Sequence, residues 1–267
     1  MERPGRLVLL GHPVGHSLSP AMQNAALRSA GIPLTYEALD VTGARLAHVA
    51  ALLRDANAAG NVTVPHKEAF ATLCARQSPV AGRVGAVNAF WTEDGALEGD
   101  NTDVGGFESA IRRHFGLPVD GVIVAVLGAG GAAGAVLAAI ERWEGARARI
   151  VARSRPRAVA LARRFARIAS VASSVQEALS GAALVVNATP VGLEGDALPV
   201  EPVLLPAASA AYDLTYRRGE TPWVHACRAR GLRAADGLSM LIEQGALSFE
   251  RWFGQAPDRE AMWRAVK

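Results

Sequence analysis

The stretch Val122-Ile123-Val124-Ala125-Val126-Leu127-Gly128-Ala129-Gly130-Gly131-Ala132-Ala133 decides the fold of this chain. Six apolar residues, typical of a buried strand, lead straight into a glycine-rich turn and then into small residues typical of a helix. The turn fits the pattern G-x-G-x-x-G/A, in which glycines allow backbone N–H groups to approach a pyrophosphate at a helix N-terminus. The stretch therefore predicts a Rossmann-type dinucleotide-binding domain, and a turn packed only for steric reasons is the alternative.

The residues after the next predicted strand distinguish between the two nicotinamide dinucleotides. A site for NAD usually carries an Asp or Glu about 20 residues after the glycine turn, where it accepts hydrogen bonds from the ribose 2′-hydroxyl. No acid stands there, and the chain instead reads Ala152-Arg153-Ser154-Arg155-Pro156-Arg157. Because clustered guanidinium groups bind a 2′-phosphate through charge-assisted hydrogen bonds, we expect NADP(H) as the cofactor. A solvated basic loop without a ligand is the other interpretation, since the whole chain is rich in arginine.

Strands and helices alternate on both sides of this stretch, which predicts an α/β fold. Toward the N-terminus, strands are expected at 6–11, 36–41, 61–64, 85–91 and 96–100, with helices at 20–30 and 44–54 and a further helix after Asp103. Toward the C-terminus, strands are expected at 122–127, 149–152, 184–187 and 210–214, and helices at 237–253 and 257–266. We therefore predict an N-terminal α/β domain at 1–103, a C-terminal Rossmann-type domain at 104–236 and, at 237–267, helices that pack back on the first domain. Ser19 is expected to cap the first helix, with Pro20 at its first position.

Composition and charge exclude several classes of protein. Although the formal net charge is +3, the 26 arginines are spread along the chain, which argues against a nucleic-acid partner. The apolar runs are far too short to cross a bilayer, and the N-terminal segment lacks the pattern of a secretory signal, so we expect a cytoplasmic protein without membrane contact. Cys74 and Cys227 lie far apart with no ligand spacing around them, so neither a disulfide nor a metal site is expected.

Lys67 is the one lysine besides the terminal Lys267, in a chain that otherwise uses arginine. A compact ammonium with a shiftable pKa is suited to proton transfer in a way that a guanidinium is not, and a carbonyl that accepts a hydride needs a proton donor. Lys67 follows a predicted strand and Asp103 lies at the predicted domain junction, so both could face one cleft. If they meet there, Asp103 orients Lys67 and modulates its proton affinity. An ordinary salt bridge explains the two residues equally well.

Taken together, the motifs of this chain resemble those of the shikimate dehydrogenase family over nearly its whole length. The resemblance is carried by G-H-P-V-G-H-S-L-S-P at 11–20, N-V-T-V-P-H-K at 61–67, G-A-V-N at 85–88, N-T-D at 101–103, the glycine turn at 128–133, A-R-S at 152–154, N-A-T-P-V-G at 187–192, D-L-T-Y at 213–216 and D-G-L-S-M-L-I-E-Q-G-A at 236–246. Two positions depart from the family pattern: Ala152 replaces an asparagine and Arg218 replaces a proline.

The resemblance implies a role for residues in each motif. It implies that Lys67 and Asp103 are catalytic, and that the substrate ligands are Ser17, Ser19, Thr63, Asn88, Tyr216 and Gln244. It implies that the cofactor is bound by Gly128, Ala129, Gly130, Gly131, Ala132, Arg153, Ser154, Arg157, Thr189 and Gly237. No metal is implied.

The resemblance also implies an activity: the reversible, NADPH-dependent reduction of 3-dehydroshikimate to shikimate, in the biosynthesis of chorismate and the aromatic amino acids. The small-molecule substrate would lie between an N-terminal substrate-binding domain and the Rossmann-type domain of a monomer or homodimer. The alternatives are a quinate/shikimate dehydrogenase that uses NAD, a relative acting on an aminated analogue, and a non-catalytic small-molecule sensor with the same fold. The Arg153 cluster argues against NAD, and the presence of both Lys67 and Asp103 argues against a sensor.

Overall fold

The chain forms two compact units, each built around its own six-stranded sheet. The computed structural model describes residues 3–116 and 120–267. The first unit comprises Met1–Gly106 and Leu241–Lys267, and the second comprises Phe107–Met240. The predicted α/β class, with a sheet in each half of the chain, is confirmed.

Strands and helices alternate along most of the described sequence. The strands are β1 (Arg6–Gly11), β2 (Tyr36–Asp40), β3 (Ala58–Val62), β4 (Arg76–Gln77), β5 (Ala89–Glu93), β6 (Ala96–Asp100), β7 (Ile123–Leu127), β8 (Arg147–Val151), β9 (Ala169–Val171), β10 (Leu184–Asn187), β11 (Ala210–Asp213) and β12 (Arg233–Ala235). The α-helices are α1 (Ser19–Ser29), α2 (Leu46–Asp55), α3 (Lys67–Ala71), α4 (Pro79–Val84), α5 (Asp103–Phe115), α6 (Gly131–Ile140), α7 (Arg155–Arg164), α8 (Val175–Leu179), α9 (Pro222–Ala229), α10 (Leu238–Phe253) and α11 (Arg259–Arg264). Short 3-10 helices lie at Gly43–Arg45 and Pro202–Leu204. No helix in this described part of the chain combines the length and apolar character needed to span a bilayer.

The sheet of the first unit has the strand order β2-β1-β3-β5-β6-β4. Strands β1, β2 and β3 run parallel, whereas β5 is antiparallel to both of its neighbours and forms a hairpin with β6. The C-terminal helices complete this unit: Trp252 Nε1 donates to the carbonyl of Phe90 at 3.1 Å, and Gln23 Nε2 donates to the carbonyl of Gly245 at 2.9 Å. Since β1 and β3 are parallel neighbours, the loops after them leave from the same edge of the sheet.

The sheet of the second unit is parallel throughout, with the order β12-β11-β10-β7-β8-β9. Both faces are covered by helices, and strands such as β7 therefore read as continuous apolar runs. The chain winds outward from β7 in one direction through β8 and β9, and in the other through β10, β11 and β12. Ligands of doubly wound sheets bind at the carboxyl ends of the strands where this reversal occurs, which here are β7 and β10.

The start of α1 differs from the prediction that Ser19 caps it. The helix already includes Ser19, and Leu18, at φ −82° and ψ −8°, occupies the cap position without a side-chain hydrogen bond. The hydroxyl of Ser17 accepts the N–H of Ser19 at 3.2 Å instead. The cap prediction was wrong because the chain turns helical one residue earlier, where the upstream serine provides the acceptor.

Candidate active site

The ammonium of Lys67 and the carboxylate of Asp103 form an ion pair in the first unit, with Nζ 2.6 Å from Oδ2. Lys67 is the first residue of α3, after the β3 loop, and Asp103 is the first residue of α5. The side chains are 17% and 6% exposed, so Lys67 stays partly open to solvent while the carboxylate is covered. A carboxylate at the first turn of a helix is also stabilised by the helix dipole. Asp103 therefore fixes the direction of an ammonium group on a side chain that solvent partly reaches.

Asn88 links this ion pair to Gln244. Its Oδ1 accepts the backbone N–H of Thr102 at 2.7 Å, which turns its NH₂ group toward the other side. That group lies 2.8 Å from Oδ1 of Asp103, 3.0 Å from the hydroxyl of Thr102 and 3.2 Å from Oε1 of Gln244. The structure thus brings together four of the predicted residues, Lys67, Asp103, Asn88 and Gln244, in one hydrogen-bonded group.

The loops after β1 and β3 carry the other predicted ligands of this unit. The two loops are joined where they begin: the N–H of Thr63 donates to the carbonyl of Leu10 in β1 at 2.8 Å, and the N–H of His12 donates to the carbonyl of Val64 at 3.1 Å. Thr63 and Ser17 are half-buried, whereas Ser19 is only 4% exposed. Ser17 and Thr63 thus lie in loops that leave the same edge of the sheet, where a small polar ligand can meet their hydroxyls.

Two histidines brace these loops. His12 Nδ1 lies 2.6 Å from Oδ1 of Asp40, and this hydrogen bond holds the pKa of the Asp40 carboxyl below its usual value. His66, which is buried, places Nε2 2.5 Å from the carbonyl oxygen of Val41. These contacts give both rings a structural role beside the site.

The glycine turn of the second unit has the shape that a pyrophosphate requires. Gly128 has φ +118°, and a Cβ there would lie 2.7 Å from the carbonyl oxygen of Ala188, so glycine alone fits. Helix α6 begins after Gly130, whose position provides no side-chain cap for the first N–H groups. N–H groups at an uncapped helix start are available to an anion. The turn therefore fits the phosphates of a dinucleotide.

The basic loop lies beside this turn. The N–H of Gly128 donates to the carbonyl of Val151 at 2.8 Å, so the glycine turn and the loop after β8 leave adjacent strands. Arg153, Ser154 and Arg157 in that loop and in the first turn of α7 are exposed. Exposed guanidinium groups next to the glycine turn fit the 2′-phosphate of NADP(H).

Thr189, Tyr216 and Gly237 lie in the loops after β10, β11 and β12. The hydroxyl of Thr189 donates to Oδ1 of Asn187 at 2.6 Å, and Tyr216 is half-buried. A Cβ at Gly237 would lie 2.3 Å from the carbonyl oxygen of Leu214, so any side chain there would displace the backbone after β11. These loops are thus packed against one another at the carboxyl edge of the parallel sheet.

The motif analysis did not predict a role for the polar residues beneath Asn88. Ser248 is fully buried and Asn61 is 4% exposed. Asn61 Nδ2 donates to the hydroxyl of Ser248 at 2.8 Å and to the carbonyl of Asn88 at 3.0 Å, and the hydroxyls of Thr102 and Ser248 lie 3.1 Å apart. The one signal in the sequence is that Ser248 follows Gln244 by four residues, which places both on the same helix face.

No group of three or more His, Cys, Asp or Glu side chains within 3–116 and 120–267 is arranged to hold a metal ion.

Comparison with known proteins identifies the family. The family model for the shikimate dehydrogenase substrate-binding domain matches residues 9–90, and that for the shikimate 5′-dehydrogenase C-terminal domain matches residues 237–267. A shikimate dehydrogenase (NADP(+)) of Mesorhizobium japonicum is 41% identical over 100% of this chain and 96% of its own length. One from Symbiobacterium thermophilum is 44% identical over 98% of this chain and 94% of its own.

A solved structure matches equally well. The crystal structure of shikimate 5-dehydrogenase from Thermus thermophilus, in complex with NADP(H) and shikimate, covers 98% of both chains with a TM-score of 0.88 and 41% identity. The chain therefore belongs to the shikimate dehydrogenase family.

Proposed function

We propose that this chain catalyses the reversible, NADPH-dependent reduction of 3-dehydroshikimate to shikimate. The observation that carries the proposal is the 2.6 Å contact between Lys67 and Asp103, joined by Asn88 to Gln244. Relatives named for the same activity align over the whole chain, and the Thermus thermophilus structure holds both NADP(H) and shikimate. The proposed enzyme is cytoplasmic, acts in aromatic amino-acid biosynthesis and works as a monomer or homodimer.

Lys67 and Asp103 carry the proton chemistry in this proposal. NADPH, when bound, supplies the hydride. Lys67 donates a proton to the ring carbonyl oxygen as negative charge develops there, and in the reverse direction takes it back from the hydroxyl. Asp103 holds the ammonium in place and accepts a hydrogen bond from a substrate hydroxyl. Asn88 fixes the orientation of the Asp103 carboxylate, because its NH₂ group donates to Oδ1, the oxygen that does not contact Lys67.

The remaining polar residues orient the substrate. Ser17 and Ser19 bind its carboxylate with their hydroxyls, and Tyr216 contributes to the same group. Thr63, Asn88 and Gln244 bind the ring hydroxyls. These assignments make 1–103, together with 237–267, the substrate-binding part of the chain.

The second unit holds the cofactor. Backbone N–H groups of the turn Gly128-Ala129-Gly130-Gly131-Ala132 bind the pyrophosphate, as their geometry at the start of α6 permits. Arg153 and Arg157, with Ser154 between them, bind the 2′-phosphate. Thr189 and Gly237 serve the nicotinamide half. On this assignment residues 104–236 form the NADP-binding domain.

A spectrophotometric assay tests the proposal and separates it from its alternatives. NADPH oxidation is followed with 3-dehydroshikimate, and the assay is repeated with NADH; the reverse reaction is followed with shikimate and with quinate. We expect turnover with NADPH and 3-dehydroshikimate that clearly exceeds turnover with NADH. Equal rates with NADH and with quinate would identify a quinate/shikimate dehydrogenase, and binding of ligands without any turnover would identify a sensor.

A further inference from the structure

Asp213 is a fully buried carboxylate at the end of β11. Burial raises the pKa of this carboxyl, and hydrogen bonds from Thr221, Thr215 and Asn187 act in the opposite direction. Four donors surround it: Asn187 Nδ2 at 2.8 Å, the Thr215 N–H at 3.0 Å, the Thr215 hydroxyl at 2.8 Å and the Thr221 hydroxyl at 2.8 Å. A buried carboxylate that gathers four donors from three residues, one at the end of β10 and two in the loop after β11, is suited to organising those segments.

Two contacts of Asn187 Nδ2, with Oδ1 of Asp213 at 2.8 Å and with the carbonyl of Val191 at 3.0 Å, determine which way the Asn187 amide points. Because a carboxylate accepts hydrogen bonds, the group facing Asp213 must be the NH₂ of Asn187. The amide oxygen therefore faces the Thr189 turn, where it accepts the Thr189 N–H at 3.0 Å and the Thr189 hydroxyl at 2.6 Å.

This orientation decides what Thr189 can offer to a ligand. The only hydroxyl proton of Thr189 is given to Asn187, and one lone pair accepts the N–H of Val191 at 3.2 Å. The remaining lone pair can accept a hydrogen bond from a ribose hydroxyl or an amide N–H. Without Asp213 the NH₂ group of Asn187 keeps only the carbonyl of Val191 as an acceptor, so the amide oxygen that receives the Thr189 hydroxyl is held less firmly.

The other two residues that donate to Asp213, Thr215 and Thr221, hold neighbouring segments. Thr215 precedes Tyr216, and its carbonyl accepts the N–H of Gly237 at 2.9 Å. Thr221 caps α9, because its side chain accepts the N–H of Val224. The same carboxylate thus ties together the segments that contain three proposed ligand residues.

We propose that Asp213 is a positioning residue for NADP(H): it acts through Asn187 to hold the Thr189 hydroxyl as a hydrogen-bond acceptor for the cofactor. With no exposed surface, Asp213 itself cannot touch a ligand. The inference rests on the proposed function only in that NADP(H) is the ligand of this turn.

A double-mutant cycle on equilibrium binding tests the inference. NADP⁺ is titrated by calorimetry into the wild-type chain, Asp213→Ala, Thr189→Ala and the double variant. Each single change is expected to raise Kd about tenfold, the loss of one buried hydrogen bond to a ligand. Because both changes remove the same interaction, the Kd of the double variant for NADP⁺ is also expected to be about tenfold above that of wild type. A loss of about a hundredfold in the double variant, the product of the two, would overturn the inference.

The conservative variant Asp213→Asn adds a second criterion. Its amide oxygen can still accept from Asn187 and Thr215, so its Kd for NADP⁺ is expected within about threefold of wild type. If the Kd of Asp213→Asn is as high as that of Asp213→Ala, an acceptor oxygen at position 213 is not what positions Asn187 and Thr189. If circular dichroism shows that Asp213→Ala does not fold, Asn187→Ala replaces it in the cycle. This variant breaks the next hydrogen bond on the path from Asp213 to Thr189, and the same Kd values are expected.

The matched control is Ser209→Ala, at the opposite end of β11, where a serine that is 2% exposed donates to the carbonyl of Pro206 at 2.8 Å. Its Kd for NADP⁺ is expected to stay at the wild-type value, and a tenfold rise would mean that any buried polar loss in this unit weakens binding. Turnover of 3-dehydroshikimate by the wild-type chain is measured alongside. If the wild-type chain binds NADP⁺ but the effects of Asp213→Ala and Thr189→Ala on Kd multiply in the double variant, only the role of Asp213 is contradicted. If the two effects do not multiply but the wild-type chain does not turn over 3-dehydroshikimate, only the proposed reaction is contradicted.

Discussion

The ammonium nitrogen of Lys67 lies 2.6 Å from Oδ2 of Asp103, and both side chains are largely covered by protein. At this distance, and with limited solvent, the carboxylate restricts the directions in which the ammonium can donate. One donor direction is occupied by Asp103, and the others remain for a ligand.

Lys67→Ala removes the proposed proton donor. We expect kcat to fall by about 10²- to 10⁴-fold, the contribution typical of a positioned acid. The Kd for NADP⁺ is expected to change by less than about twofold, because Lys67 lies outside the glycine turn. Steady-state kinetics and calorimetry measure the two quantities. Lys267→Ala, at the other lysine, is the control and is expected to leave both unchanged; equal losses of turnover and NADP⁺ binding in Lys67→Ala would count against the assignment.

Asp103→Asn tests whether the carboxylate orients Lys67. The new amide brings an NH₂ group against either the ammonium of Lys67 or the NH₂ of Asn88, since both neighbours are donors. One donor thus faces another, and we expect kcat/KM for shikimate to fall about a hundredfold or more, the effect of removing a buried charged partner. The comparison is with Asp55→Asn, an exposed acid on α2, which is expected to match wild type. Full activity in Asp103→Asn would mean that the ion pair is structural only.

Ser248→Ala tests the polar chain beneath the site. Ser248 donates to the carbonyl of Gln244 at 2.9 Å, so the Thr102 hydroxyl must donate to Ser248 and can accept from Asn88. Without Ser248, Asn61 Nδ2 keeps only the carbonyl of Asn88 as an acceptor, and the Thr102 hydroxyl keeps only Oδ1 of Asn88, 3.3 Å away, so the polar residues that hold Asn88 are less firmly fixed. We expect the KM for shikimate to rise about tenfold and stability to fall by about 1–3 kcal/mol. Kinetics and thermal unfolding check both, while NADP⁺ affinity should stay unchanged.

Arg153→Ala tests cofactor choice. Loss of a charge-assisted bond to the 2′-phosphate is expected to raise the Kd for NADP⁺ about tenfold while leaving that for NAD⁺ nearly unchanged. Titrations with both dinucleotides give the ratio. Arg163→Ala, which changes an exposed arginine in the last turn of α7, is the control. A parallel loss of affinity for NAD⁺ would show that Arg153 does not contact the 2′-phosphate.

The two cysteines are expected to be inert in the folded protein. Burial raises the pKa of both the Cys74 and Cys227 thiols to about 12, so almost no thiolate is present at pH 8. Because the thiolate is the reactive form, a disulfide reagent such as DTNB should titrate neither thiol in the native state and both after unfolding in guanidinium. Rapid native reaction of either thiol would contradict this.

Elements with a strong local pattern were predictable from the sequence. The strand at 184–187 matches the observed β10, and β7 differs from its prediction by one residue, because an apolar run flanked by turn residues has few alternatives. Strands β4, β9 and β12 were missed. They contain two or three residues each and form only because a longer neighbour offers free N–H and C=O groups. The first unit also contains a helix that was not predicted, α4. It begins after Ser78, whose side chain caps it, and ends just before the predicted strand at 85–91.

The residues of the candidate site also fall into those that the sequence predicts and those that it does not. Residue type and motif order pointed to Lys67, Asp103 and the glycine turn, and the structure places the first two in contact; their catalytic roles stay predictions. Ser248 and Asp213 acquire their importance from neighbours that lie far away along the chain or in other loops. The spacing of Ser248 from Gln244 gives only their shared helix face, because the folded chain alone determines which donors a buried serine or aspartate meets.

The amide of Asn88 has two hydrogens but faces three acceptors, and the most distant of them is Oε1 of Gln244. The Asn88 amide therefore cannot give a full hydrogen bond to all three oxygens, and Oε1 of Gln244 receives the longest. On the proposed function, a ring hydroxyl can donate to that oxygen, whereas a deoxy or O-methyl ring cannot. We therefore expect the number of hydrogens around Asn88 to favour hydroxylated rings, in addition to the shape of the surrounding walls.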